Sequence, residues 1–186
     1  MISVITIPQL KDNYSYAILN NKKVIIVDPA DSFLINDMLL KNKLSLKAIL
    51  LTHHHKDHVE GVEGILKKFK APVFSPSKSI QHTSKIIKDK DIINLDFIDM
   101  EIISTPGHTM DHVIFYNKQN NMLFSGDTLF RLGCGRIFEG SYKNMYNSLE
   151  KINNLNNKTN IYCGHEYTVN NLNFLLSILP NNKKLL

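Results

Sequence analysis

At 186 residues, 43% apolar and 21% charged, the chain has the size and composition of one globular domain with a real core to bury. No apolar run approaches the roughly 18 to 20 residues of a membrane span. "MISVITIPQL" lacks the basic flank and cleavage site of a secretory leader, so a cytoplasmic protein without a membrane partner is expected. The net charge of +5 comes from lysines scattered along the chain rather than from a basic stripe, which excludes an obvious nucleic-acid surface.

Taken in chain order, strands and helices alternate. "SVITI" and "YSYAIL" read as strands, and "KVIIVDPA" as a strand ending in a turn. "SFLINDMLLKN" has helical spacing behind Ser32 as an N-cap. "LKAILLT" is a short buried strand, "VEGVEGILKKF" a helix and "PVFSP" a strand. The weakly patterned segment 77–100 is expected to carry a short helix and loops. "MEIISTPG", "HVIFYNK" and "NMLFSGD" follow as three strands, then the amphipathic helix "SYKNMYNSLEKI", the strand "TNIYCG" and a closing helix, "YTVNNLNFLLSIL". Two strand-rich halves, each with helices outside, predict an α/β fold of four layers, two packed sheets between helices.

Metal-binding residue types cluster where apolar strands end. "AILLT" runs into His53, His55, Asp57 and His58; "EIISTPG" into His108; "NMLFSG" into Asp127; "NIYCG" into His165. "VIIVDPA" offers Asp28, a turn former or a partner behind a ligand. Residues i and i+2 of an extended segment point the same way, so His53 and His55 can share one ion while His54 points away. Asp57 and His58 come as the chain turns into a helix and face elsewhere. One ion cannot take all four; two can, with His108 and His165 completing one each and Asp127 bridging. His82 and His112 read as surface histidines. Cys134 reads as a small residue in a tight loop and Cys163 as packing, since the pair makes no disulfide framework. The arginines, Arg131 and Arg136, bracket "LGCG" in a chain that otherwise uses lysine, a hint that a forked cation is needed there.

At these residues "THHHKDH" resembles the "THxHxDH" signature of the metallo-β-lactamase superfamily. "TPGHTMDH", "SGDTLFRLGCGRIFEG" and "CGHEYTVNN" resemble the hydroxyacylglutathione hydrolases, or glyoxalase II family, along essentially the whole chain. The resemblance implies a four-layered αββα sandwich. It implies one metal on His53, His55 and His108, a second on Asp57, His58 and His165, and Asp127 bridging, with Asp57 and Asp127 in catalytic roles. The ions would be divalent, zinc first, with iron or manganese also suited. It further implies contacts to glutathione from Arg136, Phe138 and Tyr167, with Phe138 standing where some members carry tyrosine. The activity implied is hydrolysis of S-D-lactoylglutathione to D-lactate and glutathione in methylglyoxal breakdown, by a monomer. Residues 1–165 would be the hydrolase domain. Residues 166–186 would be a helix and short tail, truncated relative to the family's helical substrate-binding domain, and no motif assigns Lys183 and Lys184 to that domain's contacts. The rivals are a persulfide dioxygenase-like mono-iron oxidoreductase and a non-catalytic metal-binding remnant.

Overall fold

A computed structural model describes residues 1–182. The first half comprises β1 (Ile2–Gln9), β2 (Asn13–Asn20), β3 (Lys23–Val27), α1 (Phe33–Lys41), β4 (Ser45–Leu50), α2 (Lys56–Val59), α3 (Gly61–Leu66), β5 (Val73–Ser75) and β6 (Lys85–Ile86). The second comprises β7 (Ile92–Asn94), β8 (Asp99–Ser104), β9 (Val113–Asn117), β10 (Met122–Gly126), β11 (Leu129–Phe130), β12 (Gly133–Cys134), α4 (Tyr142–Asn153), β13 (Asn160–Cys163) and α5 (Thr168–Ile178). One sheet has the order β1-β2-β3-β4-β5-β6, the other β13-β10-β9-β8-β7, and β11 and β12 form a small hairpin.

The central strands β3, β9 and β10 read as nearly continuous apolar runs because both of their faces are buried. Alternate residues of β3 divide cleanly: Ile25 and Val27 enter the core between the sheets, while Val24 and Ile26 pack under α1 and α3. In the second sheet, Val113 and Phe115 of β9 face the first sheet, and Ile114 and Tyr116 pack with Ile152 of α4. The result is the expected αββα sandwich, with a middle core built from Ile18, Leu50, Met100, Ile102 and Phe124 among others. Each such side chain contributes about 1.5–3 kcal/mol by leaving water. α4 starts with a capping box: the Ser141 hydroxyl accepts from the Asn144 amide, and the Asn144 side chain accepts from Ser141 N–H.

Three local expectations change. Segment 77–100 forms the short strands β6 and β7 with turns, and no helix. Its hydroxyl residues bond the main chain instead: Ser77 Oγ accepts from Ser79 N–H, and Thr83 Oγ1 donates to the Ile80 carbonyl. The helix expected at 59–69 begins earlier, at Lys56, and is divided at Glu60 into α2 and α3. Ser32 sits at the α1 N-cap without a side-chain bond; Asp31 Oδ1 accepts from Phe33 N–H instead. The hairpin of β11 and β12 had no counterpart among the expected elements. No helix among the described residues is long and apolar enough to cross a membrane. α5 has no buried residue and is tethered through Asn171, whose amide donates to the Arg131 carbonyl.

The two sheets are stitched together along one rim. Val113 N–H donates to Thr52 O, carrying β9 onto the end of β4. Tyr14 N–H donates to Gly164 O and Glu166 N–H to Asp12 O, which binds the β1–β2 turn to the end of β13. Every strand that runs into a candidate ligand ends on this rim.

Candidate metal centre

The chain bends at Thr52–His54 as it leaves β4, and His55 has an extended backbone before α2 begins at Lys56. His53 is fully buried; its Nδ1 lies 3.0 Å from Thr52 Oγ1. That hydroxyl itself donates to Asp28 Oδ2 at 2.7 Å, so the network assigns the ring proton of His53 to Nδ1 and leaves Nε2 free. The same arrangement recurs at the other rings. His58 Nδ1 meets Asp28 Oδ2 at 3.0 Å, His108 Nδ1 meets the Arg136 carbonyl at 2.7 Å, and His165 Nδ1 meets Asp12 Oδ1 at 2.9 Å. Each ring is held from behind and turns Nε2 inward. His55 is the exception: its Nδ1 faces inward, 3.0 Å from His108 Nε2.

The inward atoms form two overlapping groups. Ligand atoms of His53, His55 and His108 lie within 4.8 Å of one another, as do those of Asp57, His58 and His165. Asp127 reaches both groups, with Oδ1 3.3 Å from His58 Nε2 and Oδ2 3.3 Å from His165 Nε2 and 3.4 Å from His108 Nε2. His53 Nε2 is buried without a hydrogen-bond partner among the described residues, and His58 Nε2 and Asp127 Oδ1 face each other at 3.3 Å outside hydrogen-bond geometry. A buried unpaired polar atom costs about 1–3 kcal/mol, and ligand atoms of all three residues converging within 4.8 Å fit a cation. The donor set, imidazole and carboxylate, suits divalent metal ions.

The charges are unevenly divided. Burial, with His58 and His112 nearby, holds His53 well below the ordinary histidine range, and burial also lowers His55 and His108. Burial would lower His58 too, but the Asp127 and Asp28 carboxylates outweigh it and hold it well above that range. At His165 the opposing effect of burial is likewise overcome, by Asp127 and Asp57, and the pKa rises to about 10. Asp57 is held low by the hydrogen bond from His165, against burial, with Asn13 helping. Asp127 stays low despite burial because of His58 and His165.

Two glycines make the approach of the chains possible. Gly126 has φ +47°, and a Cβ there would lie 2.6 Å from Thr52 Oγ1 and 2.8 Å from His112 Nε2. A Cβ on Gly164 would collide with Asp127 Oδ1 and lie 2.8 Å from His58 Cε1.

His112 is not a surface residue. It is fully buried, stacks on His53 with ring centroids 4.8 Å apart, and accepts the Asp127 N–H on Nε2 at 3.0 Å. Its Nδ1 meets Thr105 Oγ1 at 2.9 Å, and burial depresses its pKa to about 3. The reason is local: Thr105 N–H donates to the His112 carbonyl, closing the 105–112 loop and delivering the ring beneath the cluster as β9 starts. His82 is exposed. His54 points away from the cluster and sits between Asp111 and Glu139. Asp28, with φ +48°, is both a turn residue and the partner of Thr52 and His58. Asp12 and Asn13, which carried no signal beyond a hairpin turn, back the second group: Asn13 Nδ2 donates to Asp57 Oδ2 at 2.9 Å.

Above the cluster lies an open pocket of about 460 Å³, lined by both groups and by Phe130, Cys134, Arg136, Phe138 and Tyr167. Phe138 is 59% exposed and sets its ring edge-on to His55 and His108, with the Arg136 guanidinium 5.8 Å above its centroid. Tyr167 stacks flat on His165 at 4.9 Å and meets Phe130 edge-on. Arg131 does not line the pocket. Both cysteines are free thiols. Lys183 and Lys184 lie outside the described residues.

Residues 10–165 match the model of the metallo-β-lactamase superfamily. The chain is 46% identical over 183 residues to a hydroxyacylglutathione hydrolase of Wigglesworthia glossinidia brevipalpis, covering 97% of this chain and 72% of that protein. Among solved structures it is similar to the BLEG-1 B3 metallo-β-lactamase, with a TM-score of 0.80 at 24% identity over 88% of this chain and 92% of the other. It is also similar to TTHA1623 in a di-iron-bound form, with a TM-score of 0.73 at 24% identity over 87% and 91%.

Proposed function

Because the chain belongs to the metallo-β-lactamase superfamily and, within it, to the hydroxyacylglutathione hydrolases, we propose that its rim site hydrolyses S-(2-hydroxyacyl)glutathione thioesters. S-D-lactoylglutathione is the typical substrate, giving D-lactate and glutathione in methylglyoxal breakdown. The observation that carries this reading is the shared carboxylate of Asp127 between two ligand groups at the floor of a pocket whose mouth presents Arg136.

In this reading His53, His55 and His108 hold one divalent ion, Asp57, His58 and His165 the other, and Asp127 serves both. Zinc is the first choice, with iron or manganese also suited to the donors. The di-iron form of TTHA1623 supports a two-ion centre. Ions bound there lower the pKa of water towards about 7 and polarise the thioester carbonyl.

The protein's own groups do the rest. Asp57 stays ionised and offers its carboxylate to a water at the pocket floor, orienting it and accepting a hydrogen bond. Asn13 Nδ2 holds that carboxylate by donating to Oδ2. Arg136 meets an anionic end of glutathione, and Phe138 supplies an apolar edge beside it. Burial, with Asp12 and Asp127 nearby, raises Tyr167 to about 12, so its phenol keeps its proton and donates to the substrate. The water oxygen adds to the thioester carbonyl as its proton passes to the Asp57 carboxylate and on to solvent, and the C–S bond then breaks; a thiol of pKa about 8.5 leaves as thiolate, so no dedicated general acid is needed. Residues 1–165 form the hydrolase domain and α5 follows it, in a cytoplasmic monomer.

The test is loss of thioester absorbance with zinc-, iron- or manganese-loaded protein, comparing S-D-lactoylglutathione with a simple thioester and using Asp127→Ala as blank. Metal-dependent hydrolysis favouring the glutathione thioester supports the reading. Oxygen uptake on glutathione persulfide with a single iron, or two bound ions without hydrolysis, overturns it.

A further inference from the structure

We infer that His54, the middle histidine of "THHHKDH", is a positioning residue for substrate recognition and not a metal ligand, an inference that rests on the thioester reading above. Its ring turns away from the cluster towards two carboxylates. Nδ1 lies 3.0 Å from Asp111 Oδ1 and Nε2 lies 3.4 Å from Glu139 Oε1. These carboxylates belong to two different loops. Asp111 is in the 105–112 loop that carries His108, and Glu139 follows directly on Phe138.

The two loops are already joined by main-chain bonds. Phe138 N–H donates to the His108 carbonyl, Gly140 N–H to Gly107 O, and Met110 N–H to Glu139 Oε2 at 2.7 Å. Asp111 Oδ1 also accepts from Thr109 Oγ1 at 2.7 Å. The joined loops meet the segment that bears His53 and His55 along its inner edge, where Val113 N–H donates to Thr52 O and His55 Nδ1 meets His108 Nε2. His54 adds the link at the outer edge: one ring reaches a carboxylate of each loop. The segment so fixed is the one presenting Arg136 and Phe138 to the pocket. The rings of the pocket floor that touch Phe138, His55 and His108, meet each other at 3.0 Å, and His108 is backed by the Arg136 carbonyl. Loss of His54 therefore frees the outer edge of the recognition loop, while the bonds from Val113 N–H to Thr52 O and between His108 Nδ1 and Arg136 O keep its inner edge and the ligand atoms in place.

The experiment compares His54→Ala, His54→Gln and Glu139→Gln with the parent protein, using fully loaded samples whose metal content is measured. Expected for His54→Ala is a rise of about tenfold in KM for S-D-lactoylglutathione, the scale of one or two lost charge-assisted hydrogen bonds. kcat stays within about twofold, and metal content equals that of the parent. His54→Gln, which keeps a donor, recovers part of the KM. Glu139→Gln, whose amide oxygen still accepts from Met110 N–H, raises KM in the same sense, so the inference does not depend on one variant folding. A fall in kcat with KM unchanged overturns it by placing the effect on the metal centre. Loss of an ion overturns it too, since the His54, Asp111 and Glu139 atoms lie close enough together to hold one. Parent-like kinetics in all three variants would also overturn it, while absence of hydrolysis in the parent protein would instead defeat the thioester reading itself.

Discussion

His112 lies flat against His53, ring centroids 4.8 Å apart and planes inclined by 26°, while its Nε2 takes the main-chain N–H of the Asp127 residue. One neutral ring thus supports a ligand of the first group by contact and the shared carboxylate by a hydrogen bond.

Replacing it exposes that double role. In His112→Ala the Asp127 N–H loses its buried acceptor, which costs about 1–3 kcal/mol before the cavity is counted. Metal affinity should fall by about 10–100-fold, the usual effect of removing a group that orients a ligand. Competition with a chromophoric chelator measures the second effect and thermal unfolding the first. Unchanged affinity would mean that Asp127 is placed without His112.

Asp28 accepts from Thr52 N–H, Thr52 Oγ1 and His58 Nδ1. Asp28→Ala removes both acceptor oxygens, and with them all three bonds, and places alanine at φ +48°. Asp28→Asn keeps part of the network, and asparagine tolerates that backbone. The alanine variant should therefore lose metal on dialysis faster than the asparagine variant, and both faster than the parent. Elemental analysis after dialysis checks the order.

Uptake of metal should release protons. Without ions, His165 is raised to about 10 and His58 lies well above the ordinary value, so both rings carry protons at pH 7. An ion needs those Nε2 atoms bare. Affinity should thus climb as pH rises from 7 towards 10. Calorimetry in two buffers of different ionisation enthalpy counts the protons released. The metal-free fold shows the opposite sign. The stability contributed by the raised His165 is fully present below about 6.5 and is lost as pH rises through about 10.

Gly164→Ala should abolish the centre while sparing most of the fold. The added methyl collides with Asp127 Oδ1 and crowds His58 Cε1. Overpacking of this kind costs about 1–3 kcal/mol, small beside the loss of a correctly placed carboxylate. A folded protein by circular dichroism that binds less than the parent's complement of metal is the expected result.

The strand-end placement of the ligands is legible in the sequence because each follows an apolar run ended by a small residue or a turn. The outward direction of His54 is legible for a related reason: His53 and His55, two positions apart, join one group and leave the ring between them outside it. The support behind the ligands is not. Asp12 and Asn13 look like an ordinary hairpin turn, and only the pairing of that turn with the end of β13 brings them against His165 and Asp57. His112 fails for a similar reason: a lone polar ring after a turn carries no mark of the sheet that will close over it. Segment 77–100 is misread because serine and threonine side chains compete for the backbone there, which spacing alone cannot reveal.

Both ligand groups draw on both halves of the chain. His53, His55, Asp57 and His58 leave the end of β4 in the first sheet, whereas His108, Asp127 and His165 leave strands of the second. Bound ions would accordingly work as rivets through the sandwich, binding the assembled fold and not the separated sheets. Free metal then shifts the folding equilibrium itself by mass action, by about 2.7 kcal/mol at a hundredfold excess over the dissociation constant. Abundance of the protein in a cell would track the supply of its metal, because chains left without ions open more often to proteases.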